Sequence, residues 1–282
     1  MRYLICFIFI SPFLSCIGSG YKTLEPAFIK ISEVRVQYTS SALETFHAVE
    51  DLWVFLDEVY IGTYPVSTEI PVLEQGPGKL IRIFPGIREF GIRSRPEIYN
   101  FMDPFSFQTD LQPGSINQII PLFKYKLNNK ALFFEDFENN NLFINDLDLD
   151  KANHISRSTL TSQEGEFSGL LVNDAQHLVS EIGTSGFRIP ASAFLELSFK
   201  SSRDFNIGIN TISGSSQNKN YFLVLKASPS WKKVYIPFRE VVDQNQELVY
   251  QLLVRSIFQP DPAGQVSADS LFLDYLKIIS LP

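Results

Sequence analysis

Side chains that could perform covalent or metal chemistry are few in this sequence and stand far apart. The three histidines, His47, His154 and His177, are scattered along the 282 residues, and no two have the spacing of a metal-binding pair. No Gly-x-Ser-x-Gly motif is present to expose a nucleophilic serine at a sharp strand-to-helix turn. We therefore predict that the protein is not an enzyme. Hydrolysis by two carboxylates remains a weaker alternative, because a sequence does not show their spacing across a cleft.

Aspartate alternates with leucine over residues 146–150, in the run Asp146-Leu147-Asp148-Leu149-Asp150. This run superficially resembles a calcium-binding loop. Counted from Asp146, however, the sixth position is not glycine and the twelfth is Arg157, whereas an EF-hand has Gly and Glu there. The run is therefore not an EF-hand, and it predicts a strand or extended loop with one solvated face.

The two cysteines, Cys6 and Cys16, both lie within the first 16 residues. Arg2 precedes an apolar run, residues 3–14, which is too short to span a bilayer as a helix. This layout is typical of a secretory signal and predicts a signal peptide over residues 1–15. A plain signal peptide cut nearby and an uncleaved anchor are the alternatives.

The tetrapeptide Phe13-Leu14-Ser15-Cys16 resembles the lipobox of bacterial lipoproteins, which usually has Leu where this chain has Phe13. The resemblance implies that the signal is cut before Cys16 and that this cysteine carries lipid, including palmitate, with residues 16–26 as lipidated Cys and tether. No aspartate directly follows Cys16, which by the same similarity implies the outer membrane. No acidic cluster follows either, which favours the periplasmic side over surface display.

The charge of the chain restricts its partners. The formal net charge is −7, and it becomes −8 when the signal leaves with its single Arg. An acidic chain without basic clusters argues against nucleic acid as a partner. It equally disfavours electrostatic docking on an anionic membrane, so membrane attachment should be through lipid. No cysteine follows Cys16, so the domains should be stabilised by hydrophobic cores and not by disulfides.

Residues 27–127 are predicted to form an all-β domain. Residues 29–37 alternate apolar and polar side chains with one slip at Glu33, and residues 52–56 are apolar throughout, as in a strand buried on both faces. Asp57-Glu58 predicts a tight turn between two antiparallel strands. The other predicted features are strands at residues 59–63, 79–84, 105–111 and 116–126, a turn at 75–78, and a strand end at Pro85-Gly86.

Two segments of this domain, Val54-Phe55-Leu56-Asp57 and Ile61-Gly62-Thr63-Tyr64-Pro65, resemble the PEGA class of small immunoglobulin-like β-domains. Residues 71–83 continue the likeness as a turn and a strand. The Pro-Glu-Gly-Ala tetrapeptide that gives the class its name is absent, and residues 87–100 look like an insertion. The resemblance implies a small Ig-like β-sandwich on a bacterial envelope protein and says little about function.

Residues 128–282 begin at the polar joint Asn128-Asn129-Lys130 and again show short strands. Helical periodicity is nowhere sustained, except weakly over residues 238–244. Eight strands in about 150 residues are typical of a sandwich or jelly roll. The predicted strands are residues 131–137, 169–172, 193–200, 205–212, 221–226, 231–237, 248–256 and 270–279.

Four landmarks in this half resemble the galactose-binding-like jelly rolls that include many carbohydrate-binding modules. They are Phe134-Glu135-Asp136-Phe137-Glu138, Gly165-Glu166-Phe167-Ser168-Gly169-Leu170, Trp231-Lys232-Lys233-Val234-Tyr235-Ile236-Pro237 and Leu271-Phe272-Leu273-Asp274-Tyr275-Leu276-Lys277-Ile278. The resemblance implies a jelly-roll sandwich over residues 128–282, with Trp231 packed in the sandwich. It also implies a structural Ca²⁺ held by Glu135, Asp136 or Glu138 together with Asp274, oxygen ligands of the kind that calcium prefers. The alternative is that these are solvated edge carboxylates without an ion.

Aromatic side chains are the candidates for binding a ligand in this second half. Sugars stack on exposed aromatic faces, and Tyr221, Phe222, Tyr235 and Phe258 are the candidate platforms, although most of the 25 Phe must lie in cores.

We therefore predict an all-β, two-domain, lipid-anchored envelope protein that binds glycans through its second domain. The alternative is a structural component that docks other envelope proteins. A concave face with exposed aromatics would favour the first, and a flat apolar patch or open sheet edge the second.

Overall fold

The computed structural model describes residues 25–37, 43–44, 46–139, 141–148, 154–243, 248–260 and 268–282. These residues are nearly all β-strand and turn, with one three-residue 3₁₀ turn at Phe238–Glu240 in the region of the weak helical pattern. The all-β prediction is therefore confirmed. No helix in these ranges is long and apolar enough to cross a membrane. The predicted signal peptide, Cys16 and most of the tether lie outside the described residues.

The first domain arranges its strands in three small sheets. Its strands are β1 Ala27–Ile31, β2 Arg35–Gln37, β3 Leu43–Glu44, β4 Asp51–Leu56, β5 Val59–Pro65, β6 Thr68–Val72, β7 Gly76–Arg88, β8 Pro96–Ile98, β9 Met102–Asp103, β10 Phe105–Leu111, β11 Ile116–Ile119 and β12 Leu122–Tyr125. The sheet orders are β11-β1-β6, β10-β7-β4-β5 with β8 beside β7, and β3-β2-β12-β9. The β1–β11 and β2–β12 pairs are parallel, and the other pairs are antiparallel.

The strand predicted at residues 29–37 and the limits predicted for the strand at residues 79–84 are wrong. The predicted strand at residues 29–37 is two strands in different sheets, β1 and β2, separated at the slip in alternation around Glu33. The predicted turn at residues 75–78 already contains the start of β7, which also runs through Pro85-Gly86. Glycine at position 86 lets β7 continue past Pro85 close to β4, because a Cβ at this position would lie only 2.7 Å from the carbonyl oxygen of Asp51.

The hairpin of β4 and β5 confirms its predicted turn and corrects its predicted burial. Asp57 and Glu58 have φ of 45° and 67°, the left-handed pair that a two-residue hairpin of this twist requires. Leu52, Val54 and Leu56 are buried, but Trp53 and Phe55 are only half-buried. The strand is therefore not buried on both faces, and its aromatic side chains lie on the outer surface of the sheet.

The second domain is a sandwich of a six-stranded and a five-stranded sheet. Its strands are β13 Lys130–Glu135, β14 Asn145–Asp146, β15 Ser156–Ser158, β16 Ser168–Asn173, β17 Val179–Gly183, β18 Phe194–Ser201, β19 Phe205–Ser213, β20 Ser216–Leu225, β21 Ser228–Pro237, β22 Val249–Ile257 and β23 Asp269–Ser280. The first sheet has the order β15-β16-β23-β18-β21, with β13 also beside β23, and the second has the order β14-β17-β22-β19-β20. One buried apolar cluster contains residues of both sheets.

The predicted insertion at residues 87–100 joins the two domains. Phe90 donates its backbone N–H to the carbonyl oxygen of Tyr235 at 2.8 Å, beside the edge of the six-stranded sheet. Glu89 is 2% exposed and forms ion pairs with Arg95 of the first domain, at 3.1 Å, and Arg239 of the second, at 2.5 Å. The insertion therefore connects the domains through both backbone and charge.

A buried charged cluster lies at the same interface. The Glu196 carboxylate accepts hydrogen bonds from the hydroxyls of Tyr99 at 2.6 Å and Tyr125 at 2.9 Å, both from the first domain. The ammonium groups of Lys233 and Lys277 lie 3.3 Å and 3.2 Å from it. Burial by itself raises the pKa of Glu196, but the two lysines and the two hydroxyls outweigh it and hold the pKa below its usual value. The cluster ties side chains of both domains to one buried carboxylate.

Candidate functional site

The five-stranded sheet of the second domain has a polar outer face. Tyr250, Leu252 and Val254 of β22 point into the core, so Gln251 and Arg255, between and after them, lie on the opposite side. Strand pairing places Glu181 of β17 directly across from Arg255, so it shares this side. We call this surface, formed by β17, β22, β19 and β20, the outer face.

A tyrosine and an arginine stack at the centre of the outer face. The guanidinium carbon of Arg255 lies 3.9 Å from the centroid of the Tyr221 ring, although β19 separates their strands. Gly208 of β19 leaves room for the ring, because a Cβ there would lie 2.8 Å from Tyr221 Cδ1. Burial, followed by the charge of Glu181, raises the pKa of the Tyr221 hydroxyl, so it stays protonated at neutral pH. The guanidinium of Arg255 therefore covers part of one face of the Tyr221 ring.

An ion pair stands next to this stack. Lys219 of β20 contacts the carboxylate of Glu181 and donates to the carbonyl oxygen of Leu147 at 3.3 Å. Asp148 accepts the backbone N–H of Glu181 at 3.1 Å. The charge of Glu181 is therefore balanced by Lys219 and its backbone is held in place by Asp148.

A row of amides continues the outer face beyond the stack. The Asn210 side-chain nitrogen donates to Gln217 at 3.2 Å and to Gln251 at 2.7 Å. Gln251 in turn donates to the carbonyl oxygen of Thr184 at 3.1 Å. The buried polar atoms without a hydrogen-bond partner in the described ranges include three on this face: the Asn210 side-chain oxygen, the Tyr221 hydroxyl and Arg255 Nε. Because buried polar atoms normally have partners, an unmet acceptor and an unmet donor on one face suit a hydroxylated ligand.

An open groove of about 620 Å³ lies on the outer face beside the Glu181–Lys219 ion pair and Arg255. Its polar lining includes Glu181, Lys219 and Arg255. Its apolar lining includes Leu178 and Ile257, which are 54% and 38% exposed. The groove thus combines an apolar border with charged groups, a combination found in small-molecule binding sites.

The structure separates the four predicted aromatic platforms. Tyr221 lies on the outer face, whereas Phe222, its neighbour, packs against the core on the other side of the strand. Tyr235 is 1% exposed, in the interface with the first domain, and Phe258 is 6% exposed. Buried rings offer no face to a ligand, so Tyr235 and Phe258 are wrong as exposed platforms. Tyr221 stays a predicted binding residue.

The predicted position of Trp231 in the sandwich core is also not observed. Trp231 is half-buried on β21, and its indole N–H donates to the hydroxyl of Thr161 at 3.1 Å. A tryptophan on an outer strand of the sheet needs a partner for its N–H, and Thr161 supplies it.

The acidic residues proposed as calcium ligands bind backbone N–H groups. Glu135 accepts those of Phe137 at 2.7 Å and Leu142 at 2.5 Å. Glu138 accepts those of Glu166 and Phe167, and Asp136 accepts that of Glu138. Asp274 accepts those of Gln163, Glu164 and Tyr275.

These contacts neither confirm nor contradict a calcium site at the predicted carboxylates. Within the described ranges, no group of three or more His, Cys, Asp or Glu side chains is arranged to hold a metal ion. The charge of Glu138 does reach Asp274 and contributes to the raised pKa of that carboxyl. Calcium therefore stays a prediction, with Glu138 and Asp274 as the pair that could attract a cation.

A second aromatic surface lies on the first domain. The rings of Trp53 and Tyr60 are 5.6 Å apart, and Phe55 lies 5.4 Å from Tyr60 and 5.3 Å from Phe84. Tyr60 is 48% exposed, and the other three are half-buried. This apolar surface is the kind of feature that would favour protein docking.

Arg255, Glu181 and Lys219 were not singled out from the sequence. They lie on three strands, and Glu181 belongs to β17, a strand that no predicted element covers. The one available signal was in β22, where polar Gln251 and Arg255 interrupt an apolar run at even spacing. Such a pattern shows that a strand has a polar side, but it does not show which residues of other strands share that side.

No protein-family model matches the chain, and no curated protein matches it. Among solved structures, the chain is similar to a family 22 carbohydrate-binding module of Clostridium thermocellum Xyn10B, with 14% identity, 55% of this chain and 96% of that chain covered, and a TM-score of 0.38. A family 30 carbohydrate-binding module of a cellulosomal cellulase from the same organism gives 15% identity, 55% and 98% coverage, and a TM-score of 0.38. Similarities of this size carry no argument about function.

Proposed function

We propose that this protein is a non-catalytic, lipid-anchored component of the bacterial envelope that binds glycans on the outer face of its second domain. The observation that supports binding there is an open groove lined by Arg255, whose Nε has no hydrogen-bond partner in the described residues, on the same face as the unmet side-chain oxygen of Asn210. Sugar hydroxyls donate and accept, so they can satisfy both. The exposed apolar side chains Leu178 and Ile257 provide contact for the C–H faces of a sugar ring.

The test is affinity electrophoresis of the full mature chain in gels containing soluble plant and bacterial polysaccharides. Tyr221→Ala should weaken retention at least about ten-fold, because it removes the ring that holds Arg255. Tyr60→Ala is the matched control, since Tyr60 is also a partly exposed strand tyrosine among aromatic rings but lies on the first domain. Equal loss in both variants, or no retention of the wild type on any glycan, would contradict the proposal.

Lipid anchoring is a separate part of the proposal and has its own test. Cys16→Ala should release the protein from the membrane fraction or leave its signal uncut, because the thiol is the expected site of acylation. Fractionation and mass of the mature N-terminus measure this. An unchanged membrane association with unchanged processing would show that the chain is not a lipoprotein.

The alternative, a protein-docking component, is favoured by the aromatic surface of Trp53, Phe55, Tyr60 and Phe84. In that case Tyr60→Ala should reduce co-purification of envelope proteins, and Tyr221→Ala should leave it unchanged. The same two variants therefore separate the two functions.

A further inference from the structure

Arg255 is a charged side chain of the groove without a charged partner in the described part of the chain. Lys219, on the neighbouring side of the groove, is neutralised by Glu181. Arg255 makes no ion pair there, its Nε has no hydrogen-bond partner, and its only specific contact is with the Tyr221 ring. A guanidinium in that position costs free energy of desolvation, and no carboxylate of the described residues forms an ion pair with it to offset that cost.

The stack with Tyr221 also presets the orientation of the guanidinium. Arginine is planar, and a ring 3.9 Å from its central carbon restricts the directions of its N–H groups. A guanidinium held in this way is suited to bidentate recognition of a carboxylate, which is stronger and more directional than hydrogen bonds to neutral hydroxyls. A neutral sugar needs no such charge.

The remaining charges of the groove permit an anionic ligand. Glu181 and Asp148 are the acidic residues of the lining, and they are 8% and 9% exposed. Glu181 is paired with Lys219, and Asp148 is bonded to the backbone N–H of Glu181. The two acidic and two basic side chains balance in number, and Arg255 is the one that a ligand can pair with.

We propose that the outer face selects glycans that carry carboxylates, such as polymers of uronic acids, with Arg255 binding the carboxylate and the amides of Asn210, Gln217 and Gln251 serving the neighbouring hydroxyls. This inference rests on the proposed glycan-binding function and names the ligand class for the same site. It assigns Tyr221 the role of positioning Arg255.

The test compares polygalacturonate with its fully methyl-esterified form, which has the same sugar ring without the charge. Isothermal titration of the mature chain should give an affinity at least about ten-fold higher for the acid than for the ester, and the preference should shrink as salt is raised. Arg255→Gln should remove the preference, because the affinity for the acid then falls to that for the ester or below it. Lys232→Gln, which removes the same charge from an exposed position on β21, should change neither affinity.

The outcomes separate this inference from the proposed function. Equal affinity of the wild type for the acid and the ester would overturn the carboxylate assignment and leave glycan binding intact. A preference for the acid that survives Arg255→Gln would overturn the role of Arg255. Absence of binding to either form and to the neutral polysaccharides would overturn both proposals together. Because the ester comparison changes only the ligand, the result does not depend on how well a variant folds.

Discussion

Asp274 shows how backbone N–H groups can hold a buried carboxylate in place. Its side chain has no exposed surface, and its two oxygens accept three backbone N–H groups from residues 163, 164 and 275. Burial, the largest effect, raises the pKa of Asp274 to about 7, against the opposing pull of those hydrogen bonds. The negative charge of Glu138 raises the pKa of Asp274 further, because it repels the ionised form of that carboxyl. The residue therefore titrates near neutral pH in the folded state.

A stability profile follows from that raised pKa. Because the folded state holds the proton up to about pH 7, and the unfolded carboxyl loses it near 3.8, this group makes the protein more stable as pH falls from 8 towards 4. The gain between pH 8 and pH 5.5 should be about 2 kcal/mol. Asp274→Asn should abolish this part of the pH dependence in chelator, as measured by chemical denaturation.

Bound calcium would change the expected dependence of stability on pH in the same chemical denaturation experiment. An ion bound by the ionised carboxylate would add stability at pH 8 and flatten the profile. If wild-type midpoints with calcium and with chelator coincide at pH 8, the calcium prediction is wrong.

At the scale of elements, the insertion at residues 87–100 is the piece of the first domain that reaches the second. Its contact combines the Phe90 backbone hydrogen bond with the paired charges around Glu89. The guanidinium of Arg95 also stacks on the Phe90 ring at 4.8 Å and contacts Glu240. One short segment thus brings backbone, charge and aromatic contacts to the domain boundary.

Glu89 should matter more to stability than its exposed neighbour Glu240. Glu89→Gln leaves Arg95 and Arg239 facing each other without the buried carboxylate between them, so we expect a loss of about 2–3 kcal/mol. Glu240→Gln removes a partly exposed partner of the same Arg95 and should cost less than about 1 kcal/mol. Urea denaturation of both variants makes the comparison, and equal losses would contradict it.

The whole molecule is joined by side chains as well as by the peptide chain. The apolar cluster of the first domain includes Tyr235 and Ile279 of the second, and Phe194 packs against it. Tyr99 stacks near Tyr235 and Phe194, with ring centroids 4.8 Å and 5.8 Å away. The polar joint at residues 128–130 predicts that each half folds alone after a cut there, although the two halves share buried surface in the intact chain.

Glu196 tests that coupling. The intact chain should unfold in a single transition, and Glu196→Gln should lower its stability by about 3–5 kcal/mol, because Lys233 and Lys277 then lose their buried counter-charge. Calorimetry with fluorescence from Trp53 and Trp231, one in each domain, follows both halves at once. Glu97→Gln, an exposed carboxylate of β8, is the control and should have no effect. Two well-separated transitions in the wild type would show that the interface does not couple the domains.

The sequence by itself determined the fold class, the approximate positions of most strands, the turn at Asp57-Glu58 and Tyr221 as a candidate binding residue. Alternation and turn chemistry are local, so they can be read along the chain. Only the tertiary structure decided that residues 29–37 divide between two sheets, that Tyr235 is buried at a domain interface, and that Arg255 stacks on Tyr221. Each of these depends on which strands pair and in which register. Hydrogen bonds and packing between distant segments decide pairing and register, and local patterns do not encode them.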